Sequence, residues 1–379
     1  MRASAWSDNR VGGQDDDATF TAELWGRGRW DASDTVSIHA DGWLSTNPVG
    51  EGRGDGDIRE AYLRWSGDGL RLTAGRQVFA WGRADRLNPT DILSARDFRR
   101  LVIDDDDARL GIAAVSAQVD LAGGELSLIW APEFRRTTLP QLVAPFAVPV
   151  YQEEPDNPES QFAIRYEQFG QAFDWSVTYV EAFDRVPWAA RTDQPDGRLA
   201  VALHYPRQKM IGADIATTVA EYGVRAEAAF YDFDRPALRG IAARVPRFAL
   251  ALGADRDLPG QFNVNVQALV RSNEALESPA PRLAPFARGN GSIHYTWRDT
   301  VVGGLVRVRH AFENDQGSIE ASAGGFSGGG SFAQVKLVYA LADGVRLIGM
   351  AERYAGSPGT QLGRLEDNSL FTIGIRYGY

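Results

Sequence analysis

Two alternations run through this chain. Side chains alternate between apolar and polar, and the segments they form are joined by short and long connections in turn. Ala18 to Trp30 sets Phe20, Ala22, Leu24, Gly26 and Trp30 on one face and Thr21, Glu23, Arg27 and Arg29 on the other. A strict period of two is the signature of a strand whose faces meet different surroundings. Asp31-Ala32-Ser33-Asp34 turns the chain, and Thr35 to Leu44 returns with Val36, Ile38 and Ala40 opposite Ser37, His39 and Asp41. After a Gly/Asp loop, a second hairpin closes across Gly67-Asp68-Gly69, a strong tight-turn signal.

The unit recurs. Further tight turns are read at Ala122-Gly123-Gly124, Gly170-Gln171, Tyr222-Gly223, Pro259-Gly260, Arg298-Asp299 and Asp343-Gly344. The turn at Arg298-Asp299 is expected to join strands Ile293–Trp297 and Val302–His310. Between hairpins lie long loops rich in Pro, Gly and Asp: Ala80–Asp107, Pro132–Ser160, Asp184–Gln208 and Ser272–Arg288. A soluble sandwich has many short strands but does not usually keep short and long connections in alternation. No apolar run approaches the roughly 18 to 20 residues of a spanning helix, and the only other structure that satisfies every backbone group in lipid is a closed barrel. The expected fold is therefore all-β. It is a single domain over 1–379, a closed antiparallel transmembrane β-barrel of about 18 strands, with about 16 as the fallback. Short turns and both termini would face the periplasm, and long loops the exterior.

The polar phase carries the charge. With the apolar phase toward lipid, the lumen-facing set includes Glu23, Arg27, Arg29, Glu60, Arg64, Arg165, Glu167, Arg225, Glu227, Arg307, Arg309 and Arg376. A dry interior would have to bury these charges at a cost of several kcal/mol each unless paired; a water-filled lumen removes that cost. Trp and Tyr such as Trp30, Trp65, Tyr339 and Tyr377 suit interfacial girdles. The net charge of -10 argues against nucleic acid as a partner. The chain has no Cys, and its four His form no H-E-x-x-H pattern. No enzyme activity, cofactor or metal is expected. Met1 to Trp6 holds no apolar signal core, so export would require a leader removed upstream.

The last dozen residues alternate strictly. Phe371, Ile373, Ile375, Tyr377 and the terminal Tyr379 interleave with Thr372, Gly374, Arg376 and Gly378. This stretch resembles the closing strand of bacterial outer-membrane β-barrels, which the barrel-assembly machinery is thought to read. The resemblance implies the outer membrane of a Gram-negative cell, with its lipid and that machinery as partners.

The period fails after Phe79. From Gly75 the sequence follows the pattern G-R-Q-x-x-x-W-G-R-x-D-x-x-N-P-x-D. This resembles a family of proteobacterial outer-membrane barrels associated with RND-type (MmpL-like) exporters and a periplasmic lipoprotein-sorting-like partner. A looser, architectural similarity is to alginate-export porins, with an Arg-lined lumen of about eighteen strands. These resemblances imply a passive channel, or the outer-membrane part of an export or lipid-trafficking system; a non-conducting scaffold or assembly partner is the alternative.

Residues 80–107 are expected to fold inward. Thr90-Asp91 can cap a short helix toward Phe98, which would set Arg96, Arg99 and Arg100 on one face. Arg76, Arg83, Arg86, Arg96, Arg99 and Arg100 oppose Asp85, Asp91, Asp97 and Asp104–Asp107. They form either a constriction that selects anionic or zwitterionic solutes or a salt-bridged plug that holds the loop in place. The Asp104–Asp107 run lacks EF-hand spacing and reads as a solvated acidic loop.

Overall fold

The computed structural model describes residues 2–6, 18–46, 54–98, 105–139, 149–194, 196–276, 280–360 and 362–378. The strands are, in order, β1 (Arg2–Trp6), β2 (Ala18–Thr21), β3 (Glu23–Asp31), β4 (Val36–Ser45), β5 (Asp55–Gly67) and β6 (Leu70–Gln77). Then come β7 (Ala95–Arg96), β8 (Arg109–Leu110), β9 (Ile112–Leu121), β10 (Gly124–Ala131), β11 (Val150–Gln152) and β12 (Gln161–Gln168). They are followed by β13 (Asp174–Phe183), β14 (Trp188–Asp193), β15 (Leu199–His204), β16 (Arg207–Val219), β17 (Tyr222–Phe233) and β18 (Arg244–Leu258). The last are β19 (Phe262–Ala275), β20 (Thr300–Phe312), β21 (Gly317–Phe326), β22 (Gly330–Ala342), β23 (Val345–Ala355) and β24 (Leu370–Tyr377). Two short helices, α1 (Arg235–Leu238) and α2 (Ala284–Ile293), lie in loops. No described helix is long and apolar enough to cross a membrane.

One 19-stranded sheet dominates. From β3 its members pair with their sequence neighbours, and the pairs are antiparallel. β24 pairs on its far side with β1, from Arg2↔Gly374 to Trp6↔Leu370. β1 pairs in turn with β2, which Ala22 alone separates from β3.

The exposure pattern is inverted relative to a water-soluble sheet. On β17, Tyr222, Val224 and Phe230 are exposed, while Glu227 is 1% exposed. On β19, Phe262, Val266 and Val270 are exposed, while Asn265 and Gln267 are buried. β24 repeats the rule, with Phe371, Ile373, Ile375 and Tyr377 outward and Thr372 buried. Large contiguous apolar exposure marks a surface meant for something other than water.

The hairpins predicted from the sequence are present except in one region. Ile293–Trp297 is not a strand: Ile293 ends α2, and Arg298-Asp299 leads from a loop into β20. The alternating Ile-His-Tyr-Thr-Trp pattern yields to packing. His294 stacks on Trp188 with ring centroids 3.7 Å apart. Asn290 Oδ1 accepts from the Ala189 N–H, and its amide donates to the Ala189 and Ile241 carbonyls. The strand that takes its place is β21, whose Gly, Ser and Ala hid it. β21 and β22 are joined by 327–329, a short connection at the end where the long loops lie. The alternation of short and long connections is therefore not strict.

The long loops build a second layer at that end. β11, β15 and β14 form a small sheet. Trp188, Leu238, Ile241 and Phe233 join Leu93, Val180 and Met210 in the main dry cluster.

Candidate functional site

Beyond β6, which ends at Gln77, the chain reaches the wall at Gly82. Its φ is +99°, and a Cβ there would come within 2.5 Å of the Glu227 carboxylate. Only glycine adopts this backbone so close to a neighbour without strain. The chain then lies against the charged face of β16 to β19. The N–H groups of Arg83 and Ala84 donate to Glu227 Oε2 at 2.9 and 3.1 Å. Gln267 accepts from the Arg86 N–H and donates to the Leu87 carbonyl. The Tyr231 hydroxyl donates to the Pro89 carbonyl at 2.7 Å. At Gly212 a Cβ would meet Thr90 Cγ2 at 2.5 Å, so this wall has no spare room.

The segment is not helical from Thr90 to Phe98. Ala95–Arg96 forms β7 and pairs with β8. The capping groups are engaged elsewhere: the Thr90 hydroxyl donates to Glu227, and the Asp91 carboxylate accepts from Arg96 and Arg109. The predicted helical face shared by Arg96, Arg99 and Arg100 is therefore absent over the described residues. Arg99 and Arg100 themselves lie outside them, as do Asp104 and, on the closing strand, Tyr379.

The other basic residues of the expected constriction do not gather into one ring. Arg76 pairs with Glu133 at 3.0 Å and Asp57 at 3.7 Å. Arg83 joins Glu167 and Asp214, where Arg165 also binds, at 3.3 Å to each. Arg86 sits over the Phe332 ring, 5.2 Å from its centroid. Arg96 pairs with Asp91 at 2.9 Å. Asp85 binds Arg225 at 3.0 Å and accepts from Asn265 at 2.6 Å. The wall positions Glu23, Arg27, Arg29, Glu60, Arg64, Arg165, Glu167, Arg225, Glu227, Arg307, Arg309 and Arg376 all lie on the face opposite the exposed apolar residues.

Arg59 escaped the sequence reading. A bulge opposite Asp41 and Gly42 inserts it as an extra residue in β5. It is buried and reaches Asp41 at 3.5 Å and the carbonyls of Asp106 and Arg109. The consecutive charges Arg59-Glu60 were the signal, since a regular strand cannot send both to one face. His39, Asp41 and Glu60 are close enough to share an ion. Arg27 and Arg59 already neutralise Asp41.

Two cavities flank the segment. One of about 160 Å³ is lined by Tyr62, Arg64, Gln77, Phe79 and Trp81. The other, about 290 Å³, lies between Asp85 and Arg86 and the wall of β19 to β22. In the loop layer, burial pushes the Asp184 carboxyl up to about 6 and the His294 imidazole down to about 3.

Similarity to known proteins fits this geometry. Pseudomonas aeruginosa OpdK, solved with vanillate, aligns at 12% identity and a TM-score of 0.58 over 99% of this chain and 96% of its own. Vibrio cholerae OmpT, an outer membrane protein, aligns at 11% identity and a TM-score of 0.48 over 100% and 97%. A mutant of the Rh. blastica porin aligns at 12% identity and 0.46 over 100% and 97%. No curated protein matches. The likeness to OpdK shows an outer-membrane porin-like β fold. A family model matches residues 1–275, and the chain belongs to that family, described as "Protein of unknown function (DUF1302)".

Proposed function

We propose that this chain is a channel of the Gram-negative outer membrane, narrowed from within by the segment from Val78 to Phe98. The observation that carries the reading is the inversion of the two faces. Apolar side chains cover the exposed face, while Glu227, Asp214 and Arg165 are buried on the other, and a non-strand segment is anchored among them. Counting β2 and β3 as one strand interrupted at Ala22, the pairings return to their start through β24 and β1. This supports a closed barrel of about 18 strands with lipid outside and the charged face around a lumen. The short turns then face the periplasm. Transport is passive, and no catalytic step belongs to this reading. Of the Arg residues named above, Arg83 ties the segment to the wall through Asp214, Arg96 braces it internally through Asp91, and Arg76 pairs outside it with Glu133.

A sealed scaffold is the second reading. The dry cluster of Leu93, Trp188 and Leu238 at the long-loop end favours it. An RND-type exporter and a periplasmic lipoprotein-like protein as partners rest on the motif resemblance and are tested by co-purification from crosslinked cells. Planar-bilayer recording of the purified protein separates the two readings: discrete conductance steps mark a channel, and a silent membrane marks a scaffold.

A further inference from the structure

The larger cavity is framed by a single cross-strand row. Asn265, Arg307, Ser322 and Gln334 are direct partners across β19, β20, β21 and β22. The internal segment faces them with Asp85 and Arg86. β21 makes the room, because Ser318, Ser322 and Gly324 are small on this face. Elsewhere the segment is pressed to the wall, as Thr90 is to Gly212.

The row holds polar atoms with nothing to bind. Asn265 is 1% exposed and Ser322 is 6% exposed. Asn265 Oδ1, Ser322 Oγ and Arg307 Nε have no hydrogen-bond partner among the described residues. The Asp85 carboxylate comes no nearer to Arg307 than 3.9 Å. Buried polar groups are normally satisfied, so such a concentration in one cavity asks for a ligand.

We infer that this cavity binds a small carboxylate that also carries hydroxyl or ammonium donors, the solute of the channel proposed above. The inference rests on that reading for its route of entry. Arg307 supplies a planar fork that matches a carboxylate. Glu320, which lines the cavity, accepts from the donor end. The lining carries both signs, Arg86, Arg307 and Lys336 against Asp85, Asp106 and Glu320. That balance rejects a polyanion and favours a solute with one acidic group. At a share of about 30 Å³ per water, a space of about 290 Å³ takes roughly ten water-sized groups, which suits a six-carbon sugar acid.

The probe is gluconate, titrated calorimetrically into the folded protein in detergent, with acetate as the donor-free comparison. Gluconate should bind, and acetate should bind at least about tenfold more weakly, the loss of one or two good hydrogen bonds. Arg307→Gln should weaken gluconate about tenfold or more. Ser322→Leu fills the space without removing a hydrogen bond and should abolish binding while the barrel stays heat-modifiable. Arg29→Gln, paired with Asp31 on the distant β3, should leave binding unchanged. Failure of the wild type to bind gluconate, or folded Arg307→Gln and Ser322→Leu proteins that bind it as well as wild type, overturns the site. Conductance steps without gluconate binding overturn the site alone. Gluconate binding in a protein that never conducts overturns the channel and leaves the site standing.

Discussion

Thr90 gives both its backbone N–H and its hydroxyl to the same oxygen of the Glu227 carboxylate, at 2.7 and 2.8 Å. The other oxygen takes the N–H groups of Arg83 and Ala84. A single wall side chain thus fixes both ends of the tight path from 83 to 90. Such charge-assisted bonds are stronger than neutral ones, and orphaning any of these buried donors costs about 1–3 kcal/mol.

Glu227→Ala should therefore free the segment rather than merely loosen it. Limited proteolysis of the folded protein should cut within 83–98 in the variant and not in wild type. Single-channel conductance should rise. Equal conductance and equal resistance to protease would place the constriction elsewhere.

Val266 tests which face meets lipid. It is 47% exposed near the middle of the span of β19. In a bilayer Val266→Arg should cost about 2–4 kcal/mol, measured by reversible folding into lipid vesicles. At a water-exposed position the change would stay within about 0.5 kcal/mol.

The closing strand offers a test of assembly. Ile373 is exposed on β24 beside Phe371 and Ile375. Ile373→Asp should lower the heat-modifiable fraction recovered from outer membranes several-fold. Recovery at the wild-type level would show that this face does not govern insertion.

The loop layer has its own acid response. The Trp188 indole N–H donates to Asp184 Oδ2 at 2.8 Å, beneath the stacked His294 ring. Burial depresses His294 from 6.5 to about 3. Between those values only the unfolded chain holds the proton, so stability falls as pH falls. Burial raises Asp184 from 3.8 to about 6. There only the folded chain holds the proton, so stability falls as pH rises through that window. Each slope is about 1.4 kcal/mol per pH unit, and the two oppose between pH 4 and 6. Wild type should keep its loop layer down to about pH 4 and lose it below. Asp184→Asn removes one slope, so the protection factors of the Ala189 and Ala190 amides should fall steadily from pH 6 downward. A variant as flat as wild type would dissociate these groups from loop stability.

Much of this architecture was legible in the residues. The faces could be read because period-two alternation is local and sheet pairing preserves it, as Leu24, Trp30, Val266 and Ile373 show by their exposure. What misled was local pattern overridden by distant partners. Ile293–Trp297 alternates like a strand, yet His294 is claimed by Trp188. β21 is a strand although its Gly-Gly-Phe end and Ala-Ser-Ala centre carry little strand preference; its neighbours β20 and β22 supply the pairing. One false strand, Ile293–Trp297, thus stood in the sequence reading where β21 was missed. At the site, the segment's departure from strand form was visible just after Phe79, two residues beyond the end of β6. The fate of its Arg residues was not, because Arg83 meets Asp214 131 positions away.

Planar-bilayer recording of the purified wild-type protein tests the account most directly. A water-filled lumen narrowed by an anchored segment predicts discrete single-channel steps that enlarge in Glu227→Ala. A membrane that stays silent with both proteins, each folded and inserted, would contradict it.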